Sequence, residues 1–484
     1  MTSPNGLVCF TNCLLPQEDG SLVERDLWID ERRGLILDAQ KTFFYRKERP
    51  ARIVDLGGNI LSPGFLDIQI NGAYNFDFSV YEDDESYRNG MKMVAERIVE
   101  TGVTSLLPTI ITQHKSQYPK LLSLLKPFST PTSATLLGWH AEGPFIDITK
   151  RGAHTPGYLI VADEGYNSFE AVYGYDNLAD AEDWSMGADT TPGVRMITAA
   201  PEVPGVMNAL SEVTKRGIVF SIGHSMATTE IATSAVQHGA RLITHLFNAM
   251  PQLHHRDPSI IGLLGASPHL SSPIMNLITD ASYTVSEPLP DLQLPASAIS
   301  PVKEKPTRPF KGHKRTESRP TLHLDKGKVA DMTFERPYYG IIVDGIHCHP
   351  NSVRLAYSSH PDGCVLITDA MHVLDPYLQD GVHEWRDGKR FLKQGDSLYV
   401  EGTDTLAGSV VTLDKCVRNF SRFTGCSLGE AIKCATYNPA KSLDIENQKG
   451  TLRPGAHADL VVLDRQGVVL STWVKGKQVW TKKD

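Results

Sequence analysis

Long apolar runs are missing from this chain of 484 residues. None approaches the roughly 18 consecutive apolar residues that a membrane-spanning helix needs, so no membrane partner is expected. The N-terminus, MTSPNGLVCF, lacks the basic segment followed by an apolar stretch that marks a secretory signal. Excess positive charge is missing as well. With 48 Lys and Arg against 56 Asp and Glu, the net charge of -8 argues against a nucleic-acid partner. The seven cysteines, at 9, 13, 348, 364, 416, 426 and 434, are odd in number and include no C-x-x-C pair. Disulfide frameworks belong to small secreted domains, so reduced thiols and a cytoplasmic location are expected. Cys348 adjoins His347 but is read as packing near a site rather than as a ligand.

What is present is a series of eight short, β-rich apolar runs. They are FLDIQI (65–70), VTSLLP (103–108), TLLGWH (135–140), VRMITAA (194–200), IVFSI (218–222), RLITH (241–245), YYGIIVD (338–344) and CVLITD (364–369). Nearly continuous apolar strands suit a parallel sheet covered on both faces. Helical stretches lie between several of them. MKMVAERIVE runs into Gly102, and ATTEIATSAVQH stops at Gly239. Strands and crossovers of these lengths predict an α/β fold, a (β/α)8 TIM-type barrel over 63–449. The two ends of the chain carry short strands without a long helix, so residues 1–62 and 450–484 are expected to pair into a small β-sandwich. Ser427 and Glu430 form an S-x-x-E capping box, with Pro439 beyond its helix. Residues 285–333 fit neither pattern. Seven prolines fall between 288 and 320, and between 301 and 328 nine Lys or Arg face three Asp or Glu. That composition predicts a disordered insertion, more simply a tolerated surface loop than a docking tail. The acidic stretch 161–191 reads as a loop whose aromatics pack.

Four of the runs end in a residue able to bind a metal or carry a proton: Glu142 in LLGWHAEGP, His224 in IVFSIGHS, His245 in RLITHLFNAMP and Asp369 in CVLITDA. The C-terminal ends of barrel strands are where active sites are built. A lone histidine there is usually a satisfied core residue. Two of them closing successive strands, 21 residues apart, would be neighbours at the barrel mouth, within reach of Glu142. Two imidazoles and a carboxylate suit Zn2+, with Fe2+ or another first-row ion as alternatives, and leave a coordination position open. Asp369 then reads as the proton shuttle of a metal-assisted hydrolysis, against the plainer role of capping the next helix. On the first strand, DIQING places Gln69 and Asn71 where a two-metal hydrolase commonly has His-x-His. Amides are poor ligands beside imidazole, so one metal is expected rather than two.

Taken together, SPGFLDIQING, HAEGPFI, KRGAH, SIGHS, THLFNAMP, VDGIH, ITDA and the closing GTLRPGAHADLVVLD resemble the amidohydrolase superfamily, and within it the N-acetylglucosamine-6-phosphate deacetylase family. The last motif indicates only the superfamily; HAEGP, GHS, THLFNAM and DGIH together are more specific. The likeness covers most of the chain outside 285–333 and parts of 161–191. It implies an enzyme that removes acetate from a phosphorylated N-acetyl sugar, with one divalent ion per subunit, Zn first and Fe, Mn or Co as alternatives. Glu142, His224 and His245 would hold the metal, and Asp369 and His154 would be catalytic. His154, beside Ala153, would contact the substrate near its acetamido carbonyl. Asn248, Ala249, Arg256 and His347 would hold the sugar phosphate. Asp344, Gly345, Ile346 and His347, with Leu406, Ala407 and Gly408, would line the rest of the pocket. The resemblance also implies a homodimer in which Arg256 serves its own or the neighbouring subunit's site. Two other functions remain. A cyclic-amide amidohydrolase would want His-x-His on the first strand, and an inactive barrel scaffold would have lost a ligand or Asp369.

Overall fold

The computed structural model describes residues 3–124, 127–178, 193–268, 334–385 and 388–483. The insertion expected at 285–333 lies outside these residues, as does 179–191 of the expected acidic loop. Eight parallel strands are assembled in chain order: β1 (Phe65–Ile70), β2 (Val103–Ile111), β3 (Trp139–Glu142), β4 (Val194–Ala199), β5 (Val219–Ile222), β6 (Leu242–Ile243), β7 (Tyr338–Ile342) and β8 (Cys364–Ile367). Every residue of β1, β2 and β4 is buried, as strands covered on both faces require. The ladder returns to its start just beyond β8. There Ala370 bridges Ile70, and the Asp369 amide donates to Gln69 O at 2.9 Å. This is the expected barrel.

Local chemistry explains the boundaries. The helix Asp84–Arg97 passes into a 3-10 turn ending at Gly102, whose φ of +81° closes the helix in the left-handed region. The capping box is formed: Ser427 Oγ accepts from the Glu430 amide at 3.2 Å, and Glu430 Oε2 accepts from the Ser427 amide at 2.8 Å. β2 runs on to Ile111, β7 and β8 stop two residues early, and two other runs are broken or cut short. The run 135–140 breaks into Thr135–Leu136 and β3 at Gly138, whose φ of +115° and close neighbour Gly193 O leave no room for a side chain. β6 keeps only two residues because the chain turns sharply at His245.

Two further sheets gather the ends of the chain. One has four strands, in the order Leu35–Leu37, Leu27–Asp30, Leu7–Thr11 and Arg52–Asp55. The other has six, in the order Lys477–Thr481, Val469–Val474, Leu460–Leu463, Ile60–Pro63, Leu14–Pro16 and Leu22–Glu24. Val8, Phe10, Ile29, Leu61, Leu460 and Trp473 form the shared core, where Phe10 and Trp473 meet edge to face with ring centres 5.0 Å apart. A third sheet was not anticipated from sequence: the antiparallel strands Gly381–Glu384, Arg390–Gln394 and Ser397–Val400, which follow β8. Its Phe391 and Leu398 pack with Trp385, Met371 and Ile111, against the mouth of the barrel.

Candidate metal centre and active-site cavity

Glu142 ends β3, while His224 and His245 stand two residues beyond β5 and β6. The turns that lift the two histidines above their strands put both in left-handed backbone, with φ of +49° and +29°, and Asp369 after β8 is held at +48°. Three non-glycine residues in that region mark a site whose surroundings force the geometry. The result is convergence. Glu142 Oε1 lies 3.1 Å from His224 Nε2 and 3.2 Å from His245 Nε2, and the two imidazole nitrogens are 3.0 Å apart. All three residues are buried. Burial alone would raise the Glu142 carboxyl, but the two imidazoles outweigh it and hold it well below the usual carboxylate range.

These residues fit a metal ion. Bonds of about 2.0–2.2 Å in a tetrahedral array set neighbouring ligand atoms roughly 3.3 Å apart, close to the separations found. His224 Nδ1 donates to Lys150 O at 2.7 Å, which fixes the tautomer and leaves Nε2 as the ligand atom. Among the described residues, Glu142, His224 and His245 are the group able to hold an ion in this way. Cys348 is not part of it. Its buried thiol, pushed up to about 12 by burial, sits 3.7 Å from Leu246 O.

Asp369 stands beside the trio. Its Oδ1 accepts from Asn71 Nδ2 at 2.8 Å and from Gln69 Nε2 at 3.3 Å, and Gln69 Nε2 also lies 3.2 Å from Glu142 Oε1. The two amides of DIQING are therefore spent on carboxylates. Burial and the charge of Glu142 raise the Asp369 carboxyl above its ordinary range. His154 Nδ1 accepts from the Thr112 hydroxyl at 2.7 Å and from the Thr112 amide at 3.3 Å, which places the ring's hydrogen on Nε2. Its ring lies against His224, centre to centre 4.5 Å.

One cavity collects most of the residues singled out from sequence: Glu142, Ala153, His154, His224, His245, Asn248, Ala249, His347, Asp369, Leu406, Ala407 and Gly408. Asn71, Ile111, Gly152, Ile342 and Met371 complete its walls. Asp344 works from behind. Its Oδ2 accepts from His347 Nδ1 at 2.6 Å and its Oδ1 from the Ile346 and His347 amides, and these bonds hold the carboxyl low against the opposing effect of burial. Gly345 and Ile346 form that turn without lining the cavity. Arg256 is not brought in. It is exposed, with its guanidinium 3.2 Å from His255 Nε2 and away from the cavity lining. Sequence reasoning missed Thr112 and Lys150, which orient His154 and His224, and a polar layer beneath the metal ligands. Position near the end of β2 was the available signal for Thr112.

The chain is similar to known proteins. The sequence pattern of the amidohydrolase family matches residues 60–479. The N-acetylglucosamine-6-phosphate deacetylase of Bos taurus is 38% identical, over 98% of this chain and 96% of its own length. That of Caenorhabditis elegans is 36% identical, over 99% of this chain and 96% of its own. The crystal structure of the Thermotoga maritima deacetylase of the same name superposes with a TM-score of 0.68 at 24% identity, over 98% of this chain and 100% of that one.

Proposed function

We propose a function that starts from kinship: the chain belongs to the amidohydrolase family and, within it, to the N-acetylglucosamine-6-phosphate deacetylases. It is a hydrolase that converts N-acetyl-D-glucosamine 6-phosphate and water to D-glucosamine 6-phosphate and acetate. The convergence of Glu142, His224 and His245 beside Asp369, at the C-terminal ends of the barrel strands, carries this reading.

A divalent ion held by the three residues, Zn2+ first with Fe2+, Mn2+ or Co2+ as alternatives, supplies a lowered pKa for water and polarises the acetyl carbonyl. The chain's own residues do the rest. Asp369, held on one oxygen by Asn71 and Gln69, takes the proton of the attacking water on its other oxygen. His154 donates its Nε2 hydrogen to the carbonyl oxygen as negative charge develops there. When the C–N bond breaks, Asp369 returns the proton to the sugar nitrogen, and acetate leaves. His347, locked by Asp344, faces the sugar phosphate, with Asn248 and the Ala249 backbone beside it. Arg256, exposed outside its own cavity, serves the phosphate of the neighbouring subunit in a homodimer. Seven free thiols suit a reducing cytoplasm.

The cyclic-amide alternative is disfavoured because Gln69 and Asn71 are engaged with carboxylates, and the scaffold reading because no member of the constellation is missing. The test is amine release from N-acetylglucosamine 6-phosphate by the metal-loaded protein, with the unphosphorylated sugar as control. Strong preference for the phosphate ester is expected. Equal rates would remove the phosphate contacts, and inactivity on both would remove the deacetylase.

A further inference from the structure

Beneath the cluster of Glu142, His224 and His245 lies a second polar layer that the mechanism does not use. His140, two residues before Glu142 on β3 and so on the same inward face, is fully buried. Its Nδ1 meets Thr109 Oγ1 at 3.1 Å and its Nε2 meets Thr198 Oγ1 at 2.7 Å. Thr198 Oγ1 continues to Thr244 Oγ1 at 2.7 Å, and Thr244 Oγ1 to Ser221 Oγ at 2.5 Å. The chain of bonds thus crosses β2, β3, β4 and β5 to Thr244 at the end of β6, linking every strand that carries a ligand.

Its direction follows from counting donors. Thr109 Oγ1 accepts from the Ile70 amide at 3.1 Å and has Leu107 O at 3.4 Å as an acceptor. Every donor is used if Ser221 donates to Thr244, Thr244 to Thr198, Thr198 to His140 Nε2, and His140 Nδ1–H to Thr109. The reverse order leaves the Ser221 hydroxyl without an acceptor among the described residues. The layer also touches the ligand loop directly. A Cβ placed on Gly223 would meet Thr198 Cγ2 and Thr244 Cβ, each at 2.7 Å, so the residue before His224 rests on this threonine pair.

We propose that Thr198, acting with His140 and Thr244, is a positioning residue for the metal centre, fixing the relative heights of Glu142, His224 and His245. The inference rests on the metal reading above. It places specificity for one ligand geometry in hydroxyls that touch neither metal nor substrate.

Zn2+ affinity of the full chain, measured by competition with a chromogenic chelator, tests it. Thr198→Val keeps the side-chain shape and removes the hydroxyl. It is expected to bind Zn2+ about 10- to 100-fold more weakly, the range for partners that orient ligands, while Thr198→Ser binds as the wild type does. Thr244→Val breaks the same chain one strand further on and is expected to weaken binding similarly, so it replaces Thr198→Val should that variant not fold. Wild-type affinity in the valine variant would overturn the positioning role. So would equal weakening in Thr198→Ser, since loss despite a retained hydroxyl points to packing alone. A wild-type chain that takes up no Zn2+ would instead overturn the metal reading, and this inference with it.

Discussion

Two aspartates, the buried Asp67 and the half-buried Asp369, sit near one another at the β1–β8 seam and suit opposite uses. In the proposed reaction Asp369 gains and loses a proton in each turnover. Asp369→Asn should therefore lower kcat by about 10^2- to 10^4-fold, with Zn2+ content unchanged and KM within a few-fold, as steady-state kinetics and elemental analysis would read. Near-normal kcat would remove Asp369 from the reaction. Asp67 is best served by keeping its proton. Burial raises its carboxyl to about 7, although it accepts from Thr368 and Gln69. Both backbone amides reach Oδ1, while among the described residues Oδ2 is met by the Thr368 hydroxyl alone, at 2.5 Å, so a protonated Oδ2 fits. The unfolded group titrates near 3.8. Between that value and about 7 the folded chain binds the extra proton, so the contribution of Asp67 to stability is complete below pH 4 and is lost as pH rises through 7. Asp67→Asn supplies a permanent hydrogen toward Thr368, and its Tm should fall less than that of the wild type between pH 5 and pH 8. Parallel pH profiles for the two proteins would show that Asp67 is ionised throughout.

Among the elements, the sheet Gly381–Val400 ties stability to the cavity wall. Trp385 is buried against Phe391 and donates its Nε1 hydrogen to Asp77 Oδ2 at 2.8 Å, and the Ala407 amide of the cavity wall donates to Leu398 O at 3.0 Å. Trp385→Ala should cost about 3–5 kcal/mol and raise KM more than it lowers kcat, checked by urea unfolding and kinetics. An unchanged KM would detach the sheet from the cavity. This element was not legible in the sequence because GVHEWRDGKRFLKQGDSLYV alternates with period two over only four or five residues at a time, too briefly to stand out beside the barrel runs. The barrel strands were legible because their apolar runs are nearly unbroken and four of them end in ligand-type residues, and SIGHS and ITDA announce chemistry by breaking the apolar run. The layer of Thr109, His140, Thr198, Ser221 and Thr244 was hidden by the same feature: single polar residues inside apolar strands read as ordinary barrel filling. Arg256 was named through the resemblance, for its own or the neighbouring subunit's phosphate; it lies outside the cavity lining of its own chain, and a loop's local sequence does not set which surface it faces.

For the whole molecule, an ion held by Glu142, His224 and His245 would couple β3 to the turns after β5 and β6, so its removal should be felt globally. A ligand that binds only the folded state stabilises it by about 2.7 kcal/mol at 100 times Kd. Chelator-treated protein should therefore melt a few degrees lower than the loaded form and recover when Zn2+ is restored, as a thermal scan would report. Identical melting curves would mean that no such ion is held. The six-stranded sheet has a different consequence, one of timing. Ile60–Pro63 lies between Leu14–Pro16 and Leu460–Leu463, so one of its two edges waits for a strand about 400 residues downstream. At about 5–20 residues per second, a ribosome takes roughly 20–80 s to deliver that strand. Throughout that interval the nascent chain carries an open, fully buried-type β-edge, a template for pairing with neighbouring chains on the same message. A chain halted before residue 460 never closes it, which makes premature termination a route to aggregates rather than to a shortened enzyme.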